Sequence, residues 1–377
     1  MGKGGKYLNK KAPAAKKPKG KKKLLSKILI GVLVFLLIIV GAVALYINHL
    51  MNLITRPDDV VVQPTETFAV AETEATEEEA TVGTTTPEDT WPEIVSDKNI
   101  TNILVVGQAA RAGEEALIAD TMILCSINRE TKTLTLTSLM RDMRLVWPEY
   151  TDYQGKVHTG NNRINMAYNM GYRWANDNPR GGMEVLSSII EYNFGVPVDN
   201  VVEVNFDMFS DIVDLLEGVT VHIDEAELEY LQKNYNYMDK LTVGENNLSG
   251  YRALCYARMR KVGHGDYERT ERQREVITNL IEKMKGFGIL NIHKVFTHLL
   301  PNIITDMTNQ EMTNYAFEFI PMLKDLKIQS QRIPFDGNEM SVSHTYEDGT
   351  VDNMIAPRDL KATAKQLQES IGMTPAN

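Results

Sequence analysis

The sequence predicts an α/β domain that follows one membrane-spanning helix, and three features of its 377 residues predict this arrangement. Residues 28–47 contain no charged side chain, and residues 57–97 are rich in Thr, Glu and Pro. From residue 99 onward, short apolar runs alternate with amphipathic segments. The part after residue 97 has about 280 residues, which is enough to bury a full hydrophobic core. We therefore expect a basic tail, a membrane helix, an extended stalk and a globular domain, in that order.

The first 47 residues predict the membrane anchor and its orientation. Residues 28–47 are 20 uncharged residues in a row, about the length that crosses a bilayer core. A cleaved signal peptide is the alternative, but its apolar region is normally shorter and ends in an A-x-A-like site, which the sequence lacks. Residues 1–27 contain 11 lysines and no acidic residue, so we expect the N-terminus in the cytoplasm and the chain from about Asn48 outside the cell. These lysines could also bind anionic lipid head groups.

The distribution of charge excludes several classes of protein. The chain has 40 Lys+Arg and 50 Asp+Glu, a net charge of -10, and residues 58–97 contain 12 acidic residues and no basic one. A chain this acidic is not expected to bind nucleic acid. Two cysteines do not form a disulfide framework. The acidic segment has few large apolar side chains and its like charges repel, so we interpret residues 48–97 as an extended stalk.

Hydrophobic periodicity predicts the elements of the globular part. Short apolar runs predict strands at residues 100–107, 121–128, 133–139, 201–206, 219–223 and 327–333. A polar turn joins the second and third of these strands into a hairpin. Helical spacing predicts helices at residues 181–194, 209–216, 249–255, 269–285, 292–300, 309–323 and 358–370. Ser249 is expected to cap the third of these helices.

The common catalytic signatures are absent from the sequence. It contains no G-x-S-x-G, H-E-x-x-H or Walker motif, and its seven histidines are not spaced like a zinc site. Cys125 and Cys255 lie inside apolar runs, which favours two buried thiols; a disulfide or a nucleophilic thiol is the alternative.

Arginines next to apolar elements are the remaining candidates for chemistry. If their side chains point into one cleft, a phosphate or pyrophosphate would neutralise them, helped by a helix N-terminus. The candidates are Arg141, Arg163, Arg258, Arg260, Arg269, Arg272 and the neighbouring Gln273. The alternative is that the arginines form surface ion pairs with Asp120, Asp142, Asp266, Glu268 and Glu271. Spacing alone favours neither interpretation.

Five segments carry a resemblance to a known family. In order and spacing, NILVVG…ADTMILCSIN, SLMRDM, NNRINMAY, LSGYRALCYARMR and GDYERTERQREVI resemble the LytR-CpsA-Psr family of cell-envelope proteins. TDMT at residues 305–308 looks like a further family feature. The resemblance implies a family domain at residues 98–308, followed by a C-terminal helical extension at residues 309–377. It also implies an α/β fold in which helices flank a central mixed β-sheet, with a long apolar pocket for a polyprenyl chain.

The resemblance further implies a function. Members of the family transfer a glycopolymer from a polyprenyl-pyrophosphate carrier to peptidoglycan and leave a phosphodiester link. We therefore expect a single-pass enzyme of the cell membrane whose domain lies outside the cell. Its expected partners are the lipid-linked glycan, peptidoglycan and the membrane, but not nucleic acid. The family's older label of transcriptional attenuator does not fit an extracellular domain.

The family motifs imply two sets of site residues. The residues expected to bind the pyrophosphate are Arg111, Arg141, Arg163, Arg258, Arg260, Arg269 and Gln273. The expected catalytic residues are Asp120, Arg141 and Asp266. Asp266, Arg269 and Gln273 match the family string D-x-x-R-x-x-x-Q. Asp120 precedes Thr-Met as in the family, where this aspartate supports Mg²⁺ at the pyrophosphate, so Mg²⁺ is the expected cofactor.

One position departs from the family pattern. The first strand of family members normally ends in G-x-D-x-R, whereas this chain has GQAAR at residues 107–111, with Ala109 in place of the aspartate. Because that acid is expected to hold the metal or assist in proton abstraction, its loss predicts weaker metal binding or slower turnover. Glu114 or Glu115 could take its place. The alternative function is a module that binds the lipid-linked glycan or wall polymer without turnover, and a pyrophosphatase is a third alternative.

Protease treatment of intact cells tests the predicted topology. If residues 28–47 span the membrane and the lysines stay inside, a protease added outside should cut within residues 57–97 and remove the globular domain. The measurement is an immunoblot of the cell-bound and released fragments. A domain that is protected in intact cells and cut only after lysis would contradict the expected location.

Overall fold

The structure is a computed structural model, and it describes residues 49–50, 52–59, 92–108, 118–263, 265–287, 297, 303–345 and 351–374. The predicted tail, the predicted membrane helix and nearly all of the helix predicted at residues 292–300 lie outside these ranges. Within the ranges, no helix combines the length and the apolar character that crossing a membrane requires. The residues from Leu50 onward cluster into one unit.

The described elements alternate between strands and helices along much of this unit. The strands are β1 (Ile100–Gln108), β2 (Ala119–Asn128), β3 (Thr133–Leu139), β4 (Arg144–Thr151), β5 (Val157–Arg163), β6 (Asn200–Val204), β7 (Val219–Ile223), β8 (Gly244–Leu248), β9 (Ile304–Thr305), β10 (Lys327–Ile333), β11 (Glu339–Thr345) and β12 (Val351–Pro357). The helices are α1 (Ala167–Trp174), α2 (Pro179–Phe194), α3 (Phe206–Leu215), α4 (Glu225–Asn234), α5 (Gly250–Ala257), α6 (Asp266–Lys285), α7 (Asn309–Met322) and α8 (Leu360–Ser370).

A six-stranded mixed sheet with the order β10-β3-β2-β1-β6-β9 forms the centre of the fold. β1, β2 and β3 are antiparallel neighbours, as the predicted hairpin requires, whereas β6 joins β1 and β10 joins β3 in parallel. Asn128 shapes the β2–β3 turn, because its side-chain oxygen accepts hydrogen bonds from the backbone N–H groups of Glu130 and Thr131, both at 3.0 Å. The predicted α/β class with a central mixed sheet is confirmed.

Helices cover both faces of the central sheet because each face carries apolar side chains. On one face, Leu104 and Val106 are fully buried in a core that includes apolar side chains of α2 and α8. On the other face, Ile123 and Leu136 pack with Ile277 of α6. A second core joins α3, α4, α5 and α6 around the β7–β8 hairpin. Helix α6 therefore packs on the sheet and on the second core at once.

Several elements differ from those that periodicity predicts. The strand predicted at residues 201–206 ends at Val204, because Asn205 caps α3 by accepting a hydrogen bond from the N–H of Met208 at 2.9 Å. Ser249 occupies the predicted N-cap position of α5, but its side chain makes no capping hydrogen bond. The hairpins β4–β5 and β11–β12 and the helices α1 and α4 are absent from the prediction. The strand predicted at residues 327–333 is β10, which lies in the central sheet.

Both ends of the predicted stalk lie on the globular unit. Thr55 forms a β-bridge with β9, and Asp58 accepts hydrogen bonds from Arg180 at 2.6 and 3.0 Å. At the other end, the backbone N–H of Val95 donates a hydrogen bond of 3.0 Å to the carbonyl oxygen of Gly195, the residue after α2. Residues at both ends of the predicted stalk therefore contact the globular unit.

A buried ion pair connects α6 to the second core. Arg272 Nε lies 2.6 Å from Glu227 Oε1 of α4, and the two side chains are 5% and 10% exposed. Arg272 also donates hydrogen bonds to the carbonyl oxygens of Met259 and Val262, at 3.1 and 3.4 Å. The same guanidinium therefore holds the segment between α5 and α6. Arg272, a candidate for the anion site by sequence, is an internal link of the fold.

Removing this arginine should destabilise the protein strongly. Arg272→Ala leaves the carboxylate of Glu227 buried without its partner, so we expect the free energy of unfolding to fall by about 3–5 kcal/mol. The matched control is Arg180→Ala, which breaks the exposed pair with Asp58 and should cost at most about 1 kcal/mol. Urea denaturation of the full-length variants measures both values. Equal, small losses for the two variants would show that the buried pair does not stabilise the fold.

Candidate active site

Asp120 is the centre of a group of charged side chains at one edge of the central sheet. It lies near the start of β2, and Arg141 follows the end of β3. Asp120 Oδ1 lies 2.8 Å from Arg141 Nη1, and Asp120 Oδ2 lies 3.1 Å from Arg260 Nη2. The Asp120 and Arg141 side chains are about one-fifth exposed. One carboxylate thus holds two guanidinium groups from distant parts of the chain.

The first turn of α6 adds two further charged residues. Arg269 Nη2 lies 2.9 Å from Asp266 Oδ2 and donates a hydrogen bond to the backbone carbonyl oxygen of Asp120 at 3.2 Å. The Arg269 side chain is 2% exposed. Arg141 Nε lies 3.5 Å from Asp266 Oδ1 and from Asp142 Oδ2. We call the predicted residues that meet here the arginine–aspartate cluster: Asp120, Arg141, Arg260, Asp266 and Arg269.

Arg163 reaches the margin of this cluster through Asp142. Its Nη1 lies 3.3 Å from Asp142 Oδ1, while its Nη2 pairs with Asp352 of β12 and donates to the carbonyl oxygen of Asn353 at 3.0 Å. Asp352 is absent from the predicted site. No sequence signal points to it, because its position depends on the β11–β12 hairpin, which periodicity does not predict.

Burial governs the protonation of the cluster. It raises the pKa of Asp266, and the charges of Arg269 and Arg141 offset only part of that rise. Burial also lowers the pKa of Arg269 to about 10. Burial opposes the charge of Arg141 as well, but the hydrogen bond to Asp120 and the charges of neighbouring aspartates outweigh it and raise its pKa. The arginines therefore remain charged at neutral pH, and Asp266 holds a proton more readily than an ordinary aspartate.

Three arginines here keep buried guanidinium nitrogens without a hydrogen-bond partner in the described part of the protein. The atoms are Arg141 Nε, Arg163 Nε, Arg269 Nε and Arg269 Nη1. A buried donor without an acceptor costs about 1–3 kcal/mol, and more when the group is charged. An anion with several oxygens would satisfy several of these donors together. Both sequence interpretations therefore apply in part, since the arginines pair with nearby aspartates and still offer donors to an anion.

Two other predicted site residues that the structure describes, Arg258 and Gln273, form no hydrogen bond or ion pair with the cluster. The guanidinium of Arg258 lies over the ring of Phe206, 4.2 Å from its centre, and Gln273 is half-buried one turn beyond Arg269 on α6. The predicted residues that lie outside the described ranges are Ala109, Arg111, Glu114 and Glu115.

The sheet face that α6 covers carries half-buried apolar side chains. They belong to β1, β2 and β6 and are Ile103, Val105, Cys125, Ile127 and Val202. Burial raises the pKa of the Cys125 thiol to about 12, so this thiol stays protonated and behaves as an apolar group. Cys125 and Cys255 are both free, as the interpretation of two buried thiols requires.

The carboxylates of the cluster could hold a magnesium ion only together with further oxygen ligands. Asp120 and Asp266 are its carboxylates, and each already pairs with an arginine. Among the residues that the structure describes, no three acidic, His or Cys side chains are grouped as a metal site would require. Mg²⁺ is usually held by one or two carboxylates, waters and substrate phosphates. The residues present therefore fit an ion that binds together with a diphosphate.

Comparison with known sequences places the chain beside enzymes of cell-wall assembly. The LytR_cpsA_psr family profile matches residues 62–367. TagU of Bacillus subtilis (strain 168), named polyisoprenyl-teichoic acid–peptidoglycan teichoic acid transferase, is 31% identical over 237 residues, which are 62% of this chain and 68% of TagU. TagU of Bacillus anthracis has the same name and is 29% identical over 249 residues, which are 66% of this chain and 73% of that protein.

Solved structures share the fold. TagV of B. subtilis superposes with a TM-score of 0.53 at 25% identity, over 74% of this chain and 100% of TagV. TagT of B. subtilis is similar in fold, with a TM-score of 0.52 at 23% identity, over 73% of this chain and 92% of TagT. The profile match spans most of the chain and includes every described member of the arginine–aspartate cluster. The chain therefore belongs to the LytR-CpsA-Psr family.

Proposed function

We propose that this chain is a membrane-anchored phosphotransferase that moves a glycopolymer from a polyprenyl-pyrophosphate carrier to peptidoglycan and leaves a phosphodiester link. The observation that carries the proposal is the convergence of Arg141, Arg260 and Arg269 at one sheet edge, with buried guanidinium nitrogens that lack an acceptor. A diphosphate has the charge and the oxygen atoms that such donors require. The names of the TagU relatives support the same class of reaction.

In the proposed reaction, a hydroxyl oxygen of peptidoglycan attacks the phosphorus atom that bears the glycan. A P–O bond forms to the acceptor, the bond to the bridging oxygen of the diphosphate breaks, and polyprenyl phosphate leaves with that oxygen. Negative charge develops on the phosphoryl and bridging oxygens, where Arg141 and Arg269 can donate hydrogen bonds. Because guanidinium groups keep their protons, these residues stabilise charge and take no part in proton transfer.

Asp266 is the proposed acceptor for the proton of the attacking hydroxyl. Burial raises its pKa, which increases the proton affinity of its carboxylate and suits a general base. One of its oxygens lies 2.9 Å from Arg269 Nη2, and the other lies 3.5 Å from Arg141 Nε. Asp120 is less suited to this task, because arginines hold both of its oxygens. Its proposed role is to orient Arg141 and Arg260.

The proposal also assigns roles to magnesium, to the polyprenyl chain and to the predicted membrane helix. Magnesium, once bound, would neutralise charge on the departing phosphate, and Asp120 with diphosphate oxygens and water would hold it. The half-buried apolar face of β1, β2 and β6 would take the polyprenyl chain, because hydrocarbon buried there displaces water from apolar surface. Residues 28–47 would keep the domain at the outer surface of the membrane that contains the carrier lipid.

A binding module without turnover is the second candidate, and Ala109 favours it. Position 109 follows Gln108, which pairs with Ala119, the neighbour of Asp120 in sequence. An aspartate at this position could ligate a metal or accept a proton, whereas alanine can do neither. A protein of this kind would bind the lipid-linked glycan through the same arginines and release it unchanged.

Arginine variants test the anion site. Arg260→Ala and Arg269→Ala each remove a charge-assisted hydrogen bond worth about 1.5–3 kcal/mol, so each should weaken the binding of farnesyl diphosphate roughly 10- to 150-fold. Arg258→Ala tests whether Arg258, whose side chain lies over Phe206, also binds the diphosphate as the family motifs imply. The matched control is Arg252→Ala on α5, which removes a hydrogen bond to a backbone carbonyl outside the cluster. Calorimetry on the full-length chain in detergent measures the affinities.

The result separates two roles for the same side chains. Arg260→Ala and Arg269→Ala proteins that stay folded but bind farnesyl diphosphate weakly support an anion site. Destabilised variants that retain the affinity of the unmodified chain would show that these arginines are structural ion pairs.

The substitution at position 109 should limit metal binding. Magnesium keeps several waters and gains affinity from each carboxylate, so the unmodified chain should bind it weakly alone and more tightly once farnesyl diphosphate supplies oxygens. Ala109→Asp should strengthen magnesium binding and raise the rate of glycopolymer transfer. Glu114→Gln and Glu115→Gln should matter only where Ala109 is retained. Magnesium titrations of ligand binding and of transfer measure these effects. An identical magnesium dependence with and without the new aspartate would contradict them.

A further inference from the structure

A cavity lined in part by Arg258 takes no part in the reaction described above. Its volume is about 440 Å³, which is within the usual range of small-ligand pockets. It lies between α3, α5 and the residue that ends α4. The residues on its walls include Phe206, Asp207, Ser210, Tyr235, Tyr251 and Arg258.

Aromatic rings form much of the wall, and neighbouring rings hold them in place. Tyr235 meets a second tyrosine of α4 edge to face, with ring centres 6.2 Å apart. Tyr251 meets Tyr237 in the same way at 6.3 Å, and its side chain is 45% exposed. The guanidinium of Arg258 covers the ring of Phe206. The cavity therefore presents aromatic surfaces that a ligand in solution can reach.

The cavity and the arginine–aspartate cluster receive side chains from the same short segment of the sequence. Arg258 lines the cavity, whereas Arg260 pairs with Asp120 at 3.1 Å. Two residues span at most about 7 Å between their Cα atoms. Residues of one short segment therefore contribute to both the cavity and the cluster.

The chemistry of the wall suits sugar rings. A pyranose has a C–H face that packs on an aromatic ring, and its hydroxyl groups hydrogen-bond with tyrosine, serine and charged side chains. A polyprenyl chain would bury those polar groups without giving them partners. A second phosphate would meet the carboxylate of Asp207 as well as the guanidinium of Arg258, so the wall offers it no net positive charge.

We propose that this cavity binds pyranose rings of the glycan substrate, with Tyr251 as the stacking surface. The proposal rests on the proposed function only for the source of the glycan, which is either the lipid-linked donor or the peptidoglycan acceptor. The binding of sugar itself depends on the cavity and not on the diphosphate site.

Binding measurements on the full-length chain in detergent test this proposal. One arm titrates chitotetraose, an oligosaccharide of N-acetylglucosamine, as a probe for the acceptor strand. The other arm compares farnesyl diphosphate with the same compound carrying one N-acetylglucosamine, as a probe for the donor. The variants are Tyr251→Ala, Tyr251→Phe, which keeps the ring, and the control Tyr153→Ala, which removes an exposed tyrosine of the β4–β5 connection.

In the acceptor arm, Tyr251→Ala should weaken chitotetraose binding roughly 3- to 10-fold, while Tyr251→Phe and Tyr153→Ala retain most of the affinity. In the donor arm, the sugar should increase the affinity of farnesyl diphosphate, and Tyr251→Ala should remove that increase. Either result supports the proposal and identifies the source of the glycan.

Two outcomes would overturn the proposal. One is that neither arm detects a sugar contribution that depends on Tyr251. The other is that Tyr251→Ala weakens farnesyl diphosphate without sugar to the same extent, which would make the cavity part of the anion site. Failure of the proposed function looks different, because farnesyl diphosphate would then not bind at all while chitotetraose binding still depended on Tyr251.

Discussion

The described fold depends on one constraint, which is that α6 carries three buried arginines on a single helix: Arg269, Arg272 and Arg274. A guanidinium keeps its charge inside a protein, so each one needs an oxygen acceptor at the place where the helix puts it. The first finds aspartate at the sheet edge, the second a glutamate of α4, and the third a serine hydroxyl of β10 at 2.7 Å. These contacts connect the active-site edge, the second core and the C-terminal strand to the same helix.

The same constraint is consistent with the anion site proposed for the arginine–aspartate cluster. Without nearby negative charge, Arg141 and Arg269 would repel each other. The aspartates that pair with them reduce this repulsion in the absence of ligand. The pairing is incomplete, because guanidinium nitrogens on both arginines remain buried without an acceptor. A diphosphate could therefore add hydrogen bonds before it displaces any carboxylate, and the protein need not break its ion pairs to bind.

Strands and helices that local sequence patterns determine were predictable. Elements that depend on contacts between distant parts of the chain were not. The β1–β3 meander and α6 follow from apolar periodicity and a polar turn, so both were predictable. β5 has the sequence VHTGNNR, which has no apolar alternation and is a strand only because β4 pairs with it. The family motifs imply that Arg258 and Arg260 in the segment YARMR both bind the pyrophosphate. In the structure, Arg258 lies over Phe206 and Arg260 pairs with Asp120, because α5 ends at Ala257 and the chain turns there.

The departure at Ala109 has a consequence for the balance between binding and catalysis. An aspartate there would add one negative charge to the segment that follows Gln108, the last residue of β1. On the proposed function, alanine leaves one charge fewer to oppose a diphosphate and one carboxylate fewer to attract a cation. A magnesium ion would then depend on oxygens that the substrate supplies, which would couple metal binding to substrate binding. On the same proposal, a chain with this charge balance would retain its ligand even where transfer is slow, so binding and turnover would be separable.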